Sequence, residues 1–255
     1  MKTWFINLSV RQKLFSAFGL LIVFLITISF IGLSNMSSIN SNVDKLADKN
    51  LPAIDLLLQI DRDMQQALVA QRTMIFIEVS DQRFEELKKE NLENISQAKE
   101  RWDKFKQIGH EVTAAELVNE YETNRDKWIE ISDRIVSARS TNTPEGQLEA
   151  INLSLNNASA AFETSREVIN KLTELLEEAS DNDAENSKAS YNSTKTTMVI
   201  GTIIALFLSI IAGYSIAKMI GVPLSKAALM MNELKKGHLK TRIKLNSKDE
   251  IGVLA

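Results

Sequence analysis

Two runs of 20 residues without a charged side chain, at 14–33 and 198–217, constrain this chain more than any other feature. Each has the length an α-helix needs to cross the hydrocarbon core of a bilayer, about 20 apolar residues. The flanks orient them. Lys2, Arg11 and Lys13 precede the first run and Lys218 and Lys226 follow the second, so the positive-inside bias puts both outer ends in the cytoplasm. The 164 residues at 34–197 carry 19 Lys and Arg against 30 Asp and Glu, whereas 218–255 carry 8 against 3. A formal net charge of −3 therefore hides an acidic middle and a basic tail. A cleaved signal peptide needs a shorter apolar region and a small-residue cleavage site. The first run is longer and ends Ser29, Phe30, Ile31, Gly32, Leu33, which reads as an uncleaved anchor. The absence of cysteine removes disulfide and thiol chemistry.

The middle segment, with prolines only at 52 and 144 and glycines only at 109 and 146, shows no sustained strand alternation. Its apolar residues recur at 3-4 spacing, as in a coiled-coil or bundle seam. The first seam runs from Met36 through Val43, Asn50, Leu57, Met64 and Gln71 to Met74; the third runs from Leu117 through Tyr121 and Trp128 to Ala138. The fourth runs Leu148, Ile151, Leu155, Ala158, Phe162, Ser165, Ile169, Leu172, Leu176, Ala179, and a less regular second stretch holds Phe84, Leu92, Ile95, Trp102 and Phe105. Helix punctuation separates them: Ser80-Asp81, Gly109, a capping box from Thr113 to Glu116, and Thr143 as N-cap before Pro144. The expected fold is all-α: an antiparallel up-down-up-down four-helix bundle at 34–197 between transmembrane helices at 14–33 and 198–217, with 1–13 cytoplasmic. Pro52 should kink the first helix or mark a break near Asn50. After Ala179 the fourth seam turns polar (Asp183, Asn186, Ser190, Ser193), either because the helix emerges into water or because it is left free to shift.

Residues 218–255 carry the most specific pattern. Ile220, Leu224, Ala227, Met231 and Leu234 make a narrow seam; Pro223 opens the helix, Gly237 follows fourteen residues on, and Leu239 comes two beyond it. Ile243 punctuates a polar connector, and Asp249, Glu250 and Gly252 open a second helix. This resembles the HAMP module of bacterial receptors and sensor kinases, here incomplete. The resemblance implies a parallel coiled coil built from two chains, hence a homodimer, and a relay role for Pro223, Leu234, Gly237, Leu239, Ile243, Asp249, Glu250 and Gly252.

With both spans and the bundle included, essentially the whole chain resembles the N-terminal half of a methyl-accepting chemotaxis protein. Supporting details are Ser9 to Phe15 with Phe18 at the first run, and the stretch ending at Tyr191 before the second. The resemblance implies a receptor of the bacterial inner membrane that is not itself an enzyme. It would sense a small molecule or a periplasmic binding protein and act on a cytoplasmic kinase and coupling protein through an output domain. Sensor histidine kinases and cyclase receptors share this front end and are the alternative. In the family, arginines on the first helix hold ligand carboxylates at the dimer interface. Here a second stripe on that helix, Asp55, Leu58, Arg62, Gln65, Val69, Arg72, Phe76, Val79, places Arg62, Gln65 and Arg72 as ligand-binding candidates. Their spacing departs from the aspartate-binding motif, so ligand identity does not carry over.

Other chemistry is not indicated. His110 and His238 stand alone, without ligands at metal spacing, and no phosphate loop, nucleophile elbow or catalytic carboxylate pair is present. Neither a metal nor a cofactor is expected. The basic residues from Lys235 to Lys248 could meet anionic membrane lipid, and nucleic-acid binding is remote.

Overall fold

The computed structural model describes residues 7–108, 115–237 and 249–253. Helices α1 (Val10–Lys45) and α2 (Leu51–Met74) are joined by a π-helical turn, Leu46–Asn50, into one continuous column. Helices α3 (Gln82–Ile108) and α4 (Ala115–Ser140) follow. The last column is α5 (Pro144–Leu153), a second π turn (Ser154–Ala158), α6 (Ser159–Ile216), a third π turn (Ala217–Gly221) and α7 (Val222–Lys235), followed by the short α8 (Glu250–Val253). No strand occurs among the described residues. The chain divides into two compact units, Asn40–Lys188 and the pair of segments Met1–Ile39 and Ala189–Ala255.

Proline explains two of the π turns. Its ring removes an N–H and clashes with the carbonyl four residues back. Pro52 and Pro223 each lie just after a π turn, which widens the helix where the clash would fall. The irregularity expected near Asn50 is thus a π turn that ends at Asn50, with helix on both sides of it, and the Gly-Val-Pro junction after the second apolar run is bridged in the same way.

The remaining π turn corrects the sequence reading. An extra residue in one turn rotates everything before it by about 100° relative to a regular helix. The core positions are Ala150 and Leu153 before the turn, Ser154 and Ala158 at its two ends, and Phe162, Ser165, Ile169, Leu172 and Leu176 after it. Leu148 and Leu155, expected on the seam, are each 67% exposed. Leu92 is likewise exposed: the α3 core runs Phe84, Leu87, Asn91, Ile95, Ala98, Trp102, Phe105, with the Asn91 amide donating to the Ala67 carbonyl at 2.8 Å. α2 behaves as its seam predicts from Asn50 to Met74, every member buried, whereas Met36 and Val43 are exposed.

The core of Asn40–Lys188 centres on Trp102, Tyr121, Trp128 and Phe162. Trp102 packs on Tyr121 (ring centroids 4.1 Å) and Phe105 (5.0 Å), and Trp128 meets Phe162 at 5.6 Å. At the end where α2 turns into α3, Arg139 donates to the carbonyls of Ile75 (3.2 Å) and Ile77 (2.6 Å), and Gln147 also reaches Ile75. These bonds satisfy carbonyls left open by the end of α2. The helix stops at Met74, so Phe76 and Val79 lie in the turn and not on the expected stripe. Thr143 caps α5 as its sequence implies: its backbone is extended (φ −115°, ψ 153°) and its hydroxyl accepts from Gly146 N at 3.1 Å. Asn142 takes the left-handed conformation (φ 54°) that Asn tolerates in turns.

In the other unit, α1 and α6 are long and apolar enough to cross a membrane. Phe15, Phe30, Leu33, Phe207 and Ile210 are all exposed, and a bilayer would cover them. Polar residues in these stretches satisfy themselves: Thr27, Thr202 and Ser209 donate to carbonyls four residues back at 2.8–2.9 Å. Gly201 faces Ile28 and Gly32 faces Met198, and a Cβ at either glycine would press on the tip of that side chain. Small residues at such crossings let helices approach closely.

Candidate functional site

On α2 the side chain of Arg62 is exposed, Gln65 is half-buried and Arg72 is exposed. Ten residues of helix separate the two arginines by about 15 Å along the axis, so one small carboxylate cannot touch both on a single helix. Arg62 is also already engaged: its Nε and Nη2 donate to Asp63 Oδ1 at 3.3 and 3.1 Å. Gln65 and Arg72 share one side of α2, about 20° apart around the helix.

Behind Arg62 lies a group the stripe did not reveal. Asp63 is fully buried and forms an ion pair with Arg101 of α3. Arg101 Nε donates to Gln59 Oε1 at 2.8 Å, and Gln59 in turn donates to Asp55 at 2.6 Å. Burial lowers the pKa of Arg101 from the usual guanidinium value; Arg62 adds to the effect and Asp55 opposes it. The signal was legible in part. Asp63 falls among Ile60, Ala67 and Met74 at helical spacing, and a carboxylate at a buried position calls for a cation. Only the packing of α3 on α2 identifies that cation as Arg101.

Two further charged contacts fix the bundle. Arg166 of α6 donates to Asp61 at 2.8 Å, and the carboxylate raises the guanidinium pKa. Glu122 of α4 accepts from Lys106 Nζ and from Trp102 Nε1, both at 2.9 Å. The hydrogen bond from Lys106, then that from Trp102, holds the Glu122 carboxyl below its ordinary value, and Lys106 is raised in return. Burial pushes the Tyr121 phenol up, and its hydroxyl donates to Met64 Sδ at 3.3 Å.

A depressed carboxylate stabilises the fold at pH values above its unfolded pKa, near 4.3, and that contribution disappears as pH falls through the lower folded value. The melting temperature of Glu122→Gln should therefore lie below the parent's at neutral pH. The gap should close as pH drops below about 4, which thermal unfolding followed by circular dichroism across pH would show.

In the relay segment Pro223 and Leu234 are half-buried, and Gly237 follows α7 at φ 92°, a conformation in which glycine caps without strain. Asp249 Oδ1 accepts from Gly252 N at 3.0 Å and so caps α8, and Glu250 begins that helix. Gly109, His110, Thr113, His238, Leu239 and Ile243 lie outside the described residues. Among the described residues no group of three or more His, Cys, Asp or Glu is placed to hold a metal ion.

Residues 7–191 match the family described as a four-helix-bundle sensory module for signal transduction. Over 64 residues, a quarter of this chain, it is 38% identical to the sensor protein kinase WalK of Staphylococcus haemolyticus and 36% identical to that of Staphylococcus epidermidis. The chain spans about 10% of the length of these relatives. No solved structure matches it.

Proposed function

This chain belongs to the family of four-helix-bundle sensory modules for signal transduction, and from that premise we propose that it is the sensory and relay half of a transmembrane chemoreceptor of the methyl-accepting type. The observation that carries the proposal is α6. One uninterrupted helix contributes Phe162, Ile169, Leu172 and Leu176 to the bundle core and also contains the apolar run from Met198 to Ile216. A helix with both roles can carry a displacement from a ligand-dependent packing to the segment beyond it, on the roughly 1–2 Å scale of interface shifts. The ligand must favour one of two packings to do so. In this reading the bundle is periplasmic, the chain sits in the bacterial inner membrane, and 218–255 begin a HAMP relay to a cytoplasmic kinase and coupling protein.

Pairing with a second copy is supported by α7: Leu224 and Met231 of its seam are exposed in the single chain, and no residue of α7 is buried. A parallel partner helix would cover that seam. On the sensor, the α2 stripe of Leu58, Arg62, Gln65, Val69 and Arg72 is the candidate dimer-facing ligand surface. A parallel pair keeps this axial offset, so a carboxylate shared between the copies would meet the two Arg62 side chains or the two Arg72 side chains.

The similarity to WalK favours a second reading, the sensory half of a sensor histidine kinase. The two separate in cells: deletion that abolishes a tactic response supports the chemoreceptor, and loss of a membrane-bound autophosphorylating activity supports the kinase. Sensing itself is tested by a thermal-shift screen of the chain in nanodiscs against amino acids, organic acids and polyamines, since a ligand binding the native state raises the melting temperature. Disulfide formation between cysteines at Ile28 and Gly201 should then change in rate with the compound that shifts melting. An unchanged rate at saturation removes the displacement mechanism.

A further inference from the structure

We propose that residues 249–253 form a strap locked onto the amino-terminal end of α1, so that the second relay helix is positioned by the first apolar helix as well as by the second. The inference rests on reading 222–253 as a relay, and it adds an input that the α6 pathway does not contain.

The first turn of α1 is built to hold its own N–H groups. Ser9 and Gln12 cap it reciprocally: Ser9 N–H donates to Gln12 Oε1 and Gln12 N–H donates to Ser9 Oγ, both at 3.1 Å. A third N–H, that of Val10, is taken by Glu250 Oε2 at 2.9 Å, a residue 240 positions away. A helix N-terminus favours such a carboxylate, since its unsatisfied donors and dipole both point at it. One turn further along, Lys13 is 2% exposed and its ammonium pairs with the buried carboxylate of Asp249. Asp249 is bifunctional: one oxygen takes Lys13 while the other caps α8 through Gly252 N. Ile251, directly behind them, is 4% exposed. A buried lysine and a buried aspartate are each costly alone, so the contact is strongly conditional on both.

The mechanical consequence concerns what the relay measures. α7 continues from α6, so it follows the second apolar helix. α8 is held by α1. A shift of α6 past α1 therefore changes the placement of α7 relative to α8, and the relay reads the difference between the two helices.

The chain has no cysteine, so spin labels at Arg11→Cys and Val253→Cys, both exposed positions, report the contact in nanodiscs without background. Pulsed EPR should give one narrow distance. Lys13→Glu sets two carboxylates together and should broaden the distribution several-fold. Adding Asp249→Asn should narrow it again, because the new amide can donate to the introduced carboxylate while its oxygen still caps α8. Labelling of Ile251→Cys by a maleimide should follow the same order, about tenfold faster in Lys13→Glu and slow again in the double variant. If Lys13→Glu fails to insert, Lys13→Gln carries the comparison, with broadening expected. A width that Lys13 substitution leaves unchanged overturns the strap, as does a double variant as broad as Lys13→Glu. Neither tactic response nor kinase activity enters this measurement, so its failure is distinguishable from failure of the chemoreceptor reading.

Discussion

Trp102→Ala should cost the sensor bundle about 3–5 kcal/mol, the range for removing a buried aromatic from a packed core. Trp102 is fully buried between Tyr121 and Phe105, and its indole N–H is bonded to Glu122. The substitution therefore leaves a cavity between α3 and α4 and takes one donor from Glu122. Chemical denaturation followed by helical circular dichroism would show the loss as a fall in midpoint at unchanged slope. Trp102→Phe keeps most of the volume but not the N–H, and should recover the larger part. A loss for Trp102→Ala below about 1 kcal/mol, the size of a surface substitution, would mean that α3 and α4 do not pack as described.

Arg101→Met should be nearly as damaging, at about 3 kcal/mol, for a different reason. It leaves the Asp63 carboxylate buried with Arg62 reaching it only from the exposed side. The second replacement then acts against intuition: Asp63→Leu added to Arg101→Met should return the bundle to within about 1 kcal/mol of the parent, because an apolar pair no longer buries a charge. The double-mutant cycle isolates the interaction. Simple additivity of the two substitutions would rule out the ion pair as the reason for either loss.

These two residues show where sequence reading succeeds and where it stops. Trp102 was legible as core because its neighbours Ile95 and Phe105 share its helical spacing. Arg101 was not legible, since an arginine beside a seam is indistinguishable by spacing from a solvated one. The partner that buries it comes from another helix. The same limit applies to the arginines of α2: periodicity placed Arg62, Gln65 and Arg72 on one side of a helix, but rise per residue separates them, and the neighbouring Asp63 engages Arg62.

The sequence by itself determined the two apolar helices, the four-helix sensor between them, the Thr143 cap and the buried seam of α2 from Asn50 to Met74. All are consequences of local chemistry or of a strict period, and both are written along the chain. The tertiary structure alone decided the phase of α5. A π turn at Ser154–Ala158 contains no proline to announce it, yet it moves Leu148 and Leu155 out of the core. It also decided the contacts that join distant segments: Asp63 with Arg101, Asp61 with Arg166, and Lys13 with Asp249. The physical reason is common to all of them. A charge is indifferent to its position in a sequence pattern until packing removes its water and supplies a partner.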